Sequence, residues 1–163
     1  MNLFLWGALP YIAFTFLIVG TLVRFFYFER NWTTKSSEFL EKKQLRIANP
    51  LFHFGLLCVI GGHVVGVLVP KTWTAAMGIN DHMYHQGALY MGAVAGIIFI
   101  VGFLLLMKRR FTVPAMKVNT SGFDKWLYLF LTLAIFSGMA GTLLNASGFF
   151  DYRVSIGPWF RSL

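Results

Sequence analysis

The stretch IANPLFHFGLLCVIGGHVVGVLVP, residues 47–70, decides how the chain folds. It carries no charged residue and exceeds the about 20 apolar residues that an α-helix needs to cross a bilayer. It nevertheless contains two histidines, His53 and His63, ten positions apart. On an α-helix, ten residues correspond to about 15 Å along the axis and about 80° around it. Because polar rings at membrane depth are costly and indicate function by default, we predict a transmembrane helix with imidazoles at two levels.

Two imidazoles on adjoining sectors of one helix, at two depths, suit two metal centres better than one. Gly55, Gly62 and Gly66 lie on a nearby flank of the same helix. Small residues allow a flat ligand or another backbone to approach closely. Our working hypothesis is that this helix holds two haem groups across a membrane. The alternatives are hydrogen-bonded or proton-relaying histidines, and glycines that serve simple helix packing.

The whole chain has the composition of a protein dissolved in lipid. Of its 163 residues, 57% are hydrophobic and only 12% are charged, more apolar surface than a soluble domain of this length can bury. Four long stretches lack charged residues altogether. We predict an all-α integral membrane bundle, a single domain 1–163, whose transmembrane helices lie at about residues 3–23, 49–70, 84–107 and 124–146.

The basic residues between these spans are distributed unevenly. Six lie in residues 24–46 and five in residues 108–125, whereas the loop 71–81 contains one, Lys71. Lysine and arginine concentrate in cytoplasmic loops. We therefore predict that the two basic segments face the cytoplasm and that the N-terminus, the loop 71–81 and the tail face outside. The bilayer accounts for the net charge of +8 without nucleic acid as a partner.

Local signals predict where some helices begin. Asn49 and Pro50 fit the N-cap and the first helical position of the second span. Ser121 and Asp124 have the spacing of a capping box that opens the fourth span. The polar segment 31–46 is a surface connector or a short surface helix.

A few polar residues near the membrane edges are further candidates. His85, one turn inside the third span, is the candidate for a quinol site, because imidazole accepts a hydroxyl proton near neutral pH; His82 precedes it, and either ring is alternatively an exposed interfacial histidine. Arg24 ends the first span, where it snorkels to the headgroups or pairs with a haem propionate. Cys58, the single cysteine, excludes an internal disulfide and an iron–sulfur cluster.

Five motifs together resemble one known family. NPLFHFG and GGHVVG in the second span, GAVAG and LLLMKRRF in the third, and TSGFD before the fourth are similar to the gamma subunit of membrane-bound respiratory nitrate reductase. The resemblance runs over essentially the whole chain in order. Its most specific part is the histidine pair, with its ten-residue spacing and flanking glycines.

This resemblance implies a dihaem cytochrome b in the inner membrane of a prokaryote. In that scheme His53 is an axial ligand of the inner haem b and His63 of the outer one. The subunit oxidises quinol near the outer face and passes electrons to a cytoplasmic iron–sulfur beta subunit and a molybdenum-containing alpha subunit. It belongs to a quinol-dependent nitrate reductase but does not reduce nitrate alone.

One departure from the family pattern concerns the second ligand of each haem. The family has five transmembrane helices and places the second axial histidines on the fifth, whereas residues 146–163 contain no histidine and no such helix. We therefore expect a chain that is shortened after its fourth span or that takes the missing helix from elsewhere. Two other functions remain open: a haem b anchor of another quinone-linked oxidoreductase, and a haem-free four-helix accessory membrane protein.

Overall fold

The computed structural model describes residues 4–28, 38–148, 151–154 and 156–162. These residues form helices and turns, and no strand occurs among them. The helices are α1 (Leu9–Tyr27, preceded by a π-helical turn at Phe4–Ala8), α2 (Lys43–Leu68), α3 (Lys71–Ala76), α4 (Asp81–Thr112), α5 (Pro114–Val118), α6 (Gly122–Ala146) and α7 (Ile156–Arg161).

Within the described part of the chain, four helical segments are long and apolar enough to cross a membrane: Phe4–Tyr27, Lys43–Leu68, Asp81–Thr112 and Gly122–Ala146. The prediction of an all-α membrane protein with four spanning helices is thereby confirmed. Apolar side chains cover most of their surfaces and remain exposed in the chain. Such surfaces are stable only where lipid or another apolar partner covers them.

The chain divides into two compact units, Met1–Ser36 with Leu163, and Ser37–Ser162. The first unit contains α1, whose first turn includes a proline. The second unit contains α2 to α7 and all four histidines. The buried side chain of Arg109 lies at one end of this unit and that of Arg153 at the other, and we call these the Arg109 end and the Arg153 end. Helices α2 and α6 run from the Arg109 end to the Arg153 end, and α4 runs in the opposite direction.

The core of the second unit is the crossing of α2 and α4, where each helix offers a glycine to the backbone of the other. A Cβ atom at Gly55 would lie 2.5 Å from the backbone nitrogen of Phe99. A Cβ atom at Gly102 would lie 2.6 Å from Cα of Phe52. Both distances are too short for real Cβ contacts, so the two backbones meet here only because the side chains are absent. The rings of Phe52, Phe99 and Phe103 pack beside the crossing, with centroids 5.1 Å and 6.4 Å apart.

The start of α2 differs from the prediction. The helix begins at Lys43, and Pro50 lies inside it rather than at its first position. The prediction from Asn49 and Pro50 was wrong because the first turn is stabilised from outside the helix. The Glu41 carboxylate accepts a hydrogen bond from the backbone N–H of Gln44 at 2.8 Å, which satisfies an amide that has no intrahelical partner.

Arg109 fixes this turn in place. Its side chain is almost fully buried, at 3% exposure. Its Nε donates to Oε2 of Glu41 at 2.8 Å, and its Nη2 donates to the Glu41 carbonyl at 2.6 Å. The Gln44 amide and, after it, the Arg109 guanidinium hold the pKa of Glu41 below its usual 4.5, against the opposing effect of burial. One arginine of α4 thus holds the segment that precedes α2.

Side-chain caps fix the starts of the other two long helices of this unit. The side chain of Asn80 accepts the backbone N–H of Met83 at 2.8 Å at the start of α4. Ser121 and Asp124 form the predicted capping box of α6, which is confirmed. Arg110 donates to the same Asp124 carboxylate at 2.8 Å, so the end of α4 is joined to the start of α6.

We expect a methyl group at either crossing glycine to separate α2 from α4. Gly55→Ala and Gly102→Ala should each destabilise the protein by about 1–3 kcal/mol, the usual cost of overpacking. The measurement is thermal unfolding in detergent, followed by circular dichroism. Gly61→Ala is the matched control, because no atom lies within 4 Å of its Cβ position. Equal midpoints for all three variants would contradict the packing described here.

The lowered pKa of Glu41 makes part of the stability pH-dependent. A carboxyl group whose pKa is lower in the folded state stabilises the fold above its unfolded pKa and loses that contribution as the pH falls. The difference in thermal midpoint between the wild type and Glu41→Gln should therefore be largest near neutral pH and shrink below pH 4.5. Glu38→Gln removes the same charge from an exposed pair with Lys42 and should change the midpoint less. A difference that grows on acidification would refute the assignment.

Candidate functional site

His53 and His63 make the same hydrogen bond. Nδ1 of His53 lies 2.9 Å from the carbonyl oxygen of Asn49, and Nδ1 of His63 lies 2.7 Å from that of Val59. Each partner is the carbonyl four residues earlier on α2. Because a carbonyl oxygen only accepts, Nδ1 carries the proton and Nε2 of the neutral ring carries the lone pair. Both side chains are exposed, with Nε2 on the side of the ring away from the bonded carbonyl.

This arrangement is the one that metal-ligating histidines adopt. Such residues donate their second ring N–H to a carbonyl or carboxylate, which fixes the ring and makes the ligating nitrogen more basic. Helix α2 is continuous between the two histidines, so the rings are separated by about 15 Å along its axis. The structure thus places two nitrogen donors at two levels of α2, and each of the two rings makes the same Nδ1 hydrogen bond.

His53 lies at the most constrained part of α2. Its neighbour Phe52 touches α4 through Gly102, and Gly55 touches α4 two residues further on. The rings of Phe52 and His53 meet edge to face, with centroids 5.2 Å apart. The backbone on both sides of His53 is therefore held by helix packing.

The three flanking glycines have different surroundings. The backbone of α4 occupies the space in which a side chain at Gly55 would lie. This supports the interpretation that Gly55 serves helix packing. No atom lies within 4 Å of a Cβ at Gly62, so the flank beside His63 is open. A Cβ at Gly66 would lie 3.2 Å from Cε2 of Tyr152, so Gly66 receives an aromatic ring from the C-terminal segment.

That C-terminal segment is held by a buried arginine. Arg153 is 7% exposed; its Nη1 donates to Asp81 at 3.3 Å and its Nη2 to the Thr74 hydroxyl at 3.1 Å. Its guanidinium carbon lies 3.7 Å from the centroid of the Tyr84 ring, a close cation–π contact. Lys71 pairs with the other oxygen of Asp81 at 3.3 Å. We call these residues, Lys71, Thr74, Asp81, Tyr84 and Arg153, the Arg153 network.

The remaining predicted residues lie at several places in the chain. His85 is half-buried in the first turns of α4, next to Tyr84, and His82 is exposed in the turn before it. Arg24 lies in the last turn of α1, in the first unit. The segment 31–46 is described only from residue 38, and its last four residues belong to α2.

Sequence reasoning did not find the Arg153 network or Tyr152. The available signal was charge: Asp81 and Asp151 are two of only six acidic residues, and both lie on the predicted outer side, as Lys71 and Arg153 do. Lys71 and Asp151 also pair, at 3.7 Å. Burial raises the pKa of Tyr152 to about 12, so this phenol stays protonated at all physiological pH values.

Taken together, four apolar helices define an integral membrane protein, and its second helix carries two exposed imidazoles with the same hydrogen bond to a backbone carbonyl. Comparison with known proteins gives the family. The chain belongs to the nitrate reductase gamma subunit family, whose profile matches residues 2–163, and it is therefore a subunit of an oxidoreductase complex.

Three relatives illustrate this membership. The chain is 45% identical over 160 residues to the nitrate reductase gamma chain of Bacillus subtilis, an alignment covering 98% of this chain and 72% of that protein. It is 31% identical over 143 residues to the respiratory nitrate reductase 1 gamma chain of Escherichia coli, covering 88% and 62%. It is 40% identical over 161 residues to the nitrate reductase-like protein NarX of Mycobacterium tuberculosis, covering 97% of this chain and 25% of that protein. The family predicted from the sequence motifs is confirmed.

Removing the buried guanidinium should release the C-terminal segment. In Arg153→Met, we expect backbone amides of residues 151–161 to exchange with deuterium at least about tenfold faster, because breaking a buried charge network strongly destabilises what it holds. Hydrogen exchange with mass spectrometry measures this. Lys125→Met, an exposed lysine at the Arg109 end, is the control and should leave the exchange unchanged. Unaltered protection in Arg153→Met would show that the segment is held by other contacts.

Proposed function

We propose that this chain is the membrane-anchor cytochrome b subunit of a respiratory nitrate reductase. It holds two b haems through His53 and His63, oxidises quinol at the Arg153 end, and delivers the electrons to cytoplasmic iron–sulfur and molybdenum subunits, beta and alpha. The observation that carries the proposal is the matched pair of Nδ1 hydrogen bonds on α2. Family membership supports the enzyme complex in which these histidines work.

The donor set of the chain fits haem better than a bare metal ion. Among the residues that the structure describes, no group of three or more His, Cys, Asp or Glu side chains could hold a metal ion. A porphyrin would supply most of the ligands of its iron itself and would need only single nitrogen donors from the protein, and His53 and His63 would each offer one. The open flank at Gly62 leaves room for a flat macrocycle beside His63.

In this proposal the chain sets the position and orientation of the His53 and His63 rings and the basicity of their Nε2 atoms. Bound haem supplies one-electron redox chemistry. Through their Nδ1–H bonds to Asn49 and Val59, His53 and His63 keep fixed ring orientations and basic Nε2 atoms. The helix crossing at Gly55 and Gly102 holds the backbone beside His53. His85, at the same end of the unit as His63, accepts a proton from a quinol hydroxyl.

The distribution of charge supports an orientation in the membrane. The basic segment 108–125 lies at the Arg109 end, which by the positive-inside rule faces the cytoplasm. Arg109 and Arg110 form ion pairs there, whereas Lys108, Lys117 and Lys125 are exposed. These three lysines are available to lipid headgroups and to the cytoplasmic subunits. The Arg153 end, with His63 and His85, then faces outside, where quinol oxidation releases protons.

The haem assignment predicts a spectroscopic result. In the purified assembled complex, His53→Ala and His63→Ala should each remove about half of the b-type absorbance, since each histidine holds one haem. Reduced-minus-oxidised difference spectra measure this. His82→Ala, which alters an exposed histidine at the start of α4, is the control and should keep the full spectrum. A wild-type complex without b-type absorbance would refute the proposal.

The electron route predicts a separation of two activities. In the assembled complex, His63→Ala should abolish nitrate reduction by quinol and leave nitrate reduction by a viologen radical, which supplies electrons directly to the cytoplasmic subunits. His85→Ala should raise the KM for quinol several-fold and leave the viologen activity unchanged. Loss of both activities in a normally assembled His63→Ala complex would contradict the role given to this residue. An unchanged KM in His85→Ala would remove His85 from the quinol site.

A further inference from the structure

We propose that Arg161 binds a propionate of the haem that His63 holds. Its guanidinium is anchored to α2 by one hydrogen bond and offers its remaining N–H groups to the propionate carboxylate. This inference rests on the proposed function and deepens it, because it assigns a protein contact to the carboxylate side of that haem.

The first observation is the position of Arg161 relative to His63. Helix α7 packs on α2, and Nη1 of Arg161 donates to the carbonyl oxygen of Val67 at 2.7 Å. Val67 follows His63 by four residues, which is about 6 Å along the helix and about 40° around it. The guanidinium is therefore anchored about one turn beyond His63, towards the Arg153 end, at a residue in nearly the same sector of α2.

The second observation is the reason why the guanidinium stays at this position. Helix α2 ends at Leu68, so the Val67 carbonyl has no partner four residues later in the same helix. Arg161 supplies the missing donor, and a cation at the C-terminus of a helix also interacts favourably with the helix dipole.

The segment that carries Arg161 is itself held against α2. Gly157 is buried, and a Cβ atom there would lie 3.1 Å from Nη1 of Arg161, so the guanidinium lies over a residue without a side chain. The backbone N–H of Gly157 donates to the carbonyl of Tyr152 at 2.8 Å, and the Tyr152 ring lies on Gly66. These contacts place the guanidinium beside α2 before any ligand binds.

The third observation is that the charge of Arg161 is not neutralised within the described part of the chain. Arg109, Arg110 and Arg153 each form an ion pair with a carboxylate, whereas Arg161 pairs with no described carboxylate. Arg161 is exposed, and its bond to Val67 uses one of the five N–H donors of a guanidinium. The other donors are available to an anion.

A haem propionate has the chemistry that this guanidinium recognises. It is a planar carboxylate, which arginine binds through two parallel N–H bonds. A carboxylate at the edge of the hydrocarbon layer is costly unless a cation pairs with it. His63 is a neutral ligand and supplies no such charge, whereas Arg161 supplies it one turn closer to the end of the helix.

The first test is a redox titration of the purified assembled complex, in which the haem of His63 is the component lost in His63→Ala. Arg161→Gln removes the charge and keeps a side-chain N–H. We expect the midpoint potential of this haem to fall, because the cation favours the reduced form, by about a tenfold change in its reduction equilibrium, which is about 59 mV for one electron. Arg161→Lys retains the charge and should keep most of the potential. Lys125→Gln, which removes an exposed cation at the Arg109 end, is the matched control and should leave the potential unchanged.

The second test measures the contact itself. Reduced-minus-oxidised infrared difference spectra contain the carboxylate stretching bands of the propionates, which isotopic labelling of the propionate carboxyl carbons identifies. The bands of one propionate should shift in Arg161→Gln and stay in place in Lys125→Gln.

Two results would overturn the proposal. If Arg161 only caps α2 or binds a lipid phosphate, Arg161→Gln leaves the potential and the propionate bands unchanged. Faster deuterium exchange of residues 64–69 then indicates the cap, and loss of a co-purifying anionic phospholipid indicates the lipid. A lower potential with unchanged propionate bands shows a charge that acts at a distance without touching the propionate, which also overturns the proposal.

Failure of this inference and failure of the proposed function give different results. A wild-type complex with two b-type haems, together with an Arg161→Gln complex of unchanged potential and unchanged propionate bands, overturns the role of Arg161 alone. A wild-type complex without b-type absorbance overturns both.

Discussion

The close contact of two backbones at the crossing of α2 and α4 is the constraint on which the second unit depends. Gly55 meets Phe99, and Gly102 meets Phe52, at distances that no side chain permits. In a lipid environment the hydrophobic effect does not drive helices together, so close van der Waals packing must do so. Two glycines, one on each helix, make this packing reciprocal and fix both the distance and the register of the pair.

This register determines what the two helices place at each end. Because α2 and α4 run in opposite directions, His63 of α2 and His85 of α4 are brought to the same end of the unit. His53 lies near the crossing, between two positions of backbone contact. The two imidazoles share one hydrogen-bonding geometry but have different surroundings: helix packing constrains the first, and an open flank at Gly62 adjoins the second.

A buried arginine lies at each end of the unit. The two arginines hold different segments of the chain. Arg109 holds Glu41 by its side chain and its carbonyl, which extends α2 and joins it to the segment before it. Arg153 holds the C-terminal segment against α3 and α4 and lies on the face of Tyr84. A buried guanidinium is stable only with its hydrogen bonds made, so both ends are ordered by polar contacts while the apolar surfaces between them face outward.

The sequence by itself determined the four apolar spans, the ten-residue spacing of His53 and His63, the capping box of α6 and the family, because hydropathy, helical period and motifs are properties of neighbouring residues. It did not determine the start of α2, where Glu41 and Arg109 override the signal of Pro50. Nor did it show that Gly55 serves packing, that Gly102 is its counterpart, or that Tyr152 lies on Gly66. Only the tertiary structure decided these points, because the contacts of Arg109 and Arg153 join residues 68, 72 and 79 positions apart. Pairings at such separations depend on how the helices pack, which no local pattern records.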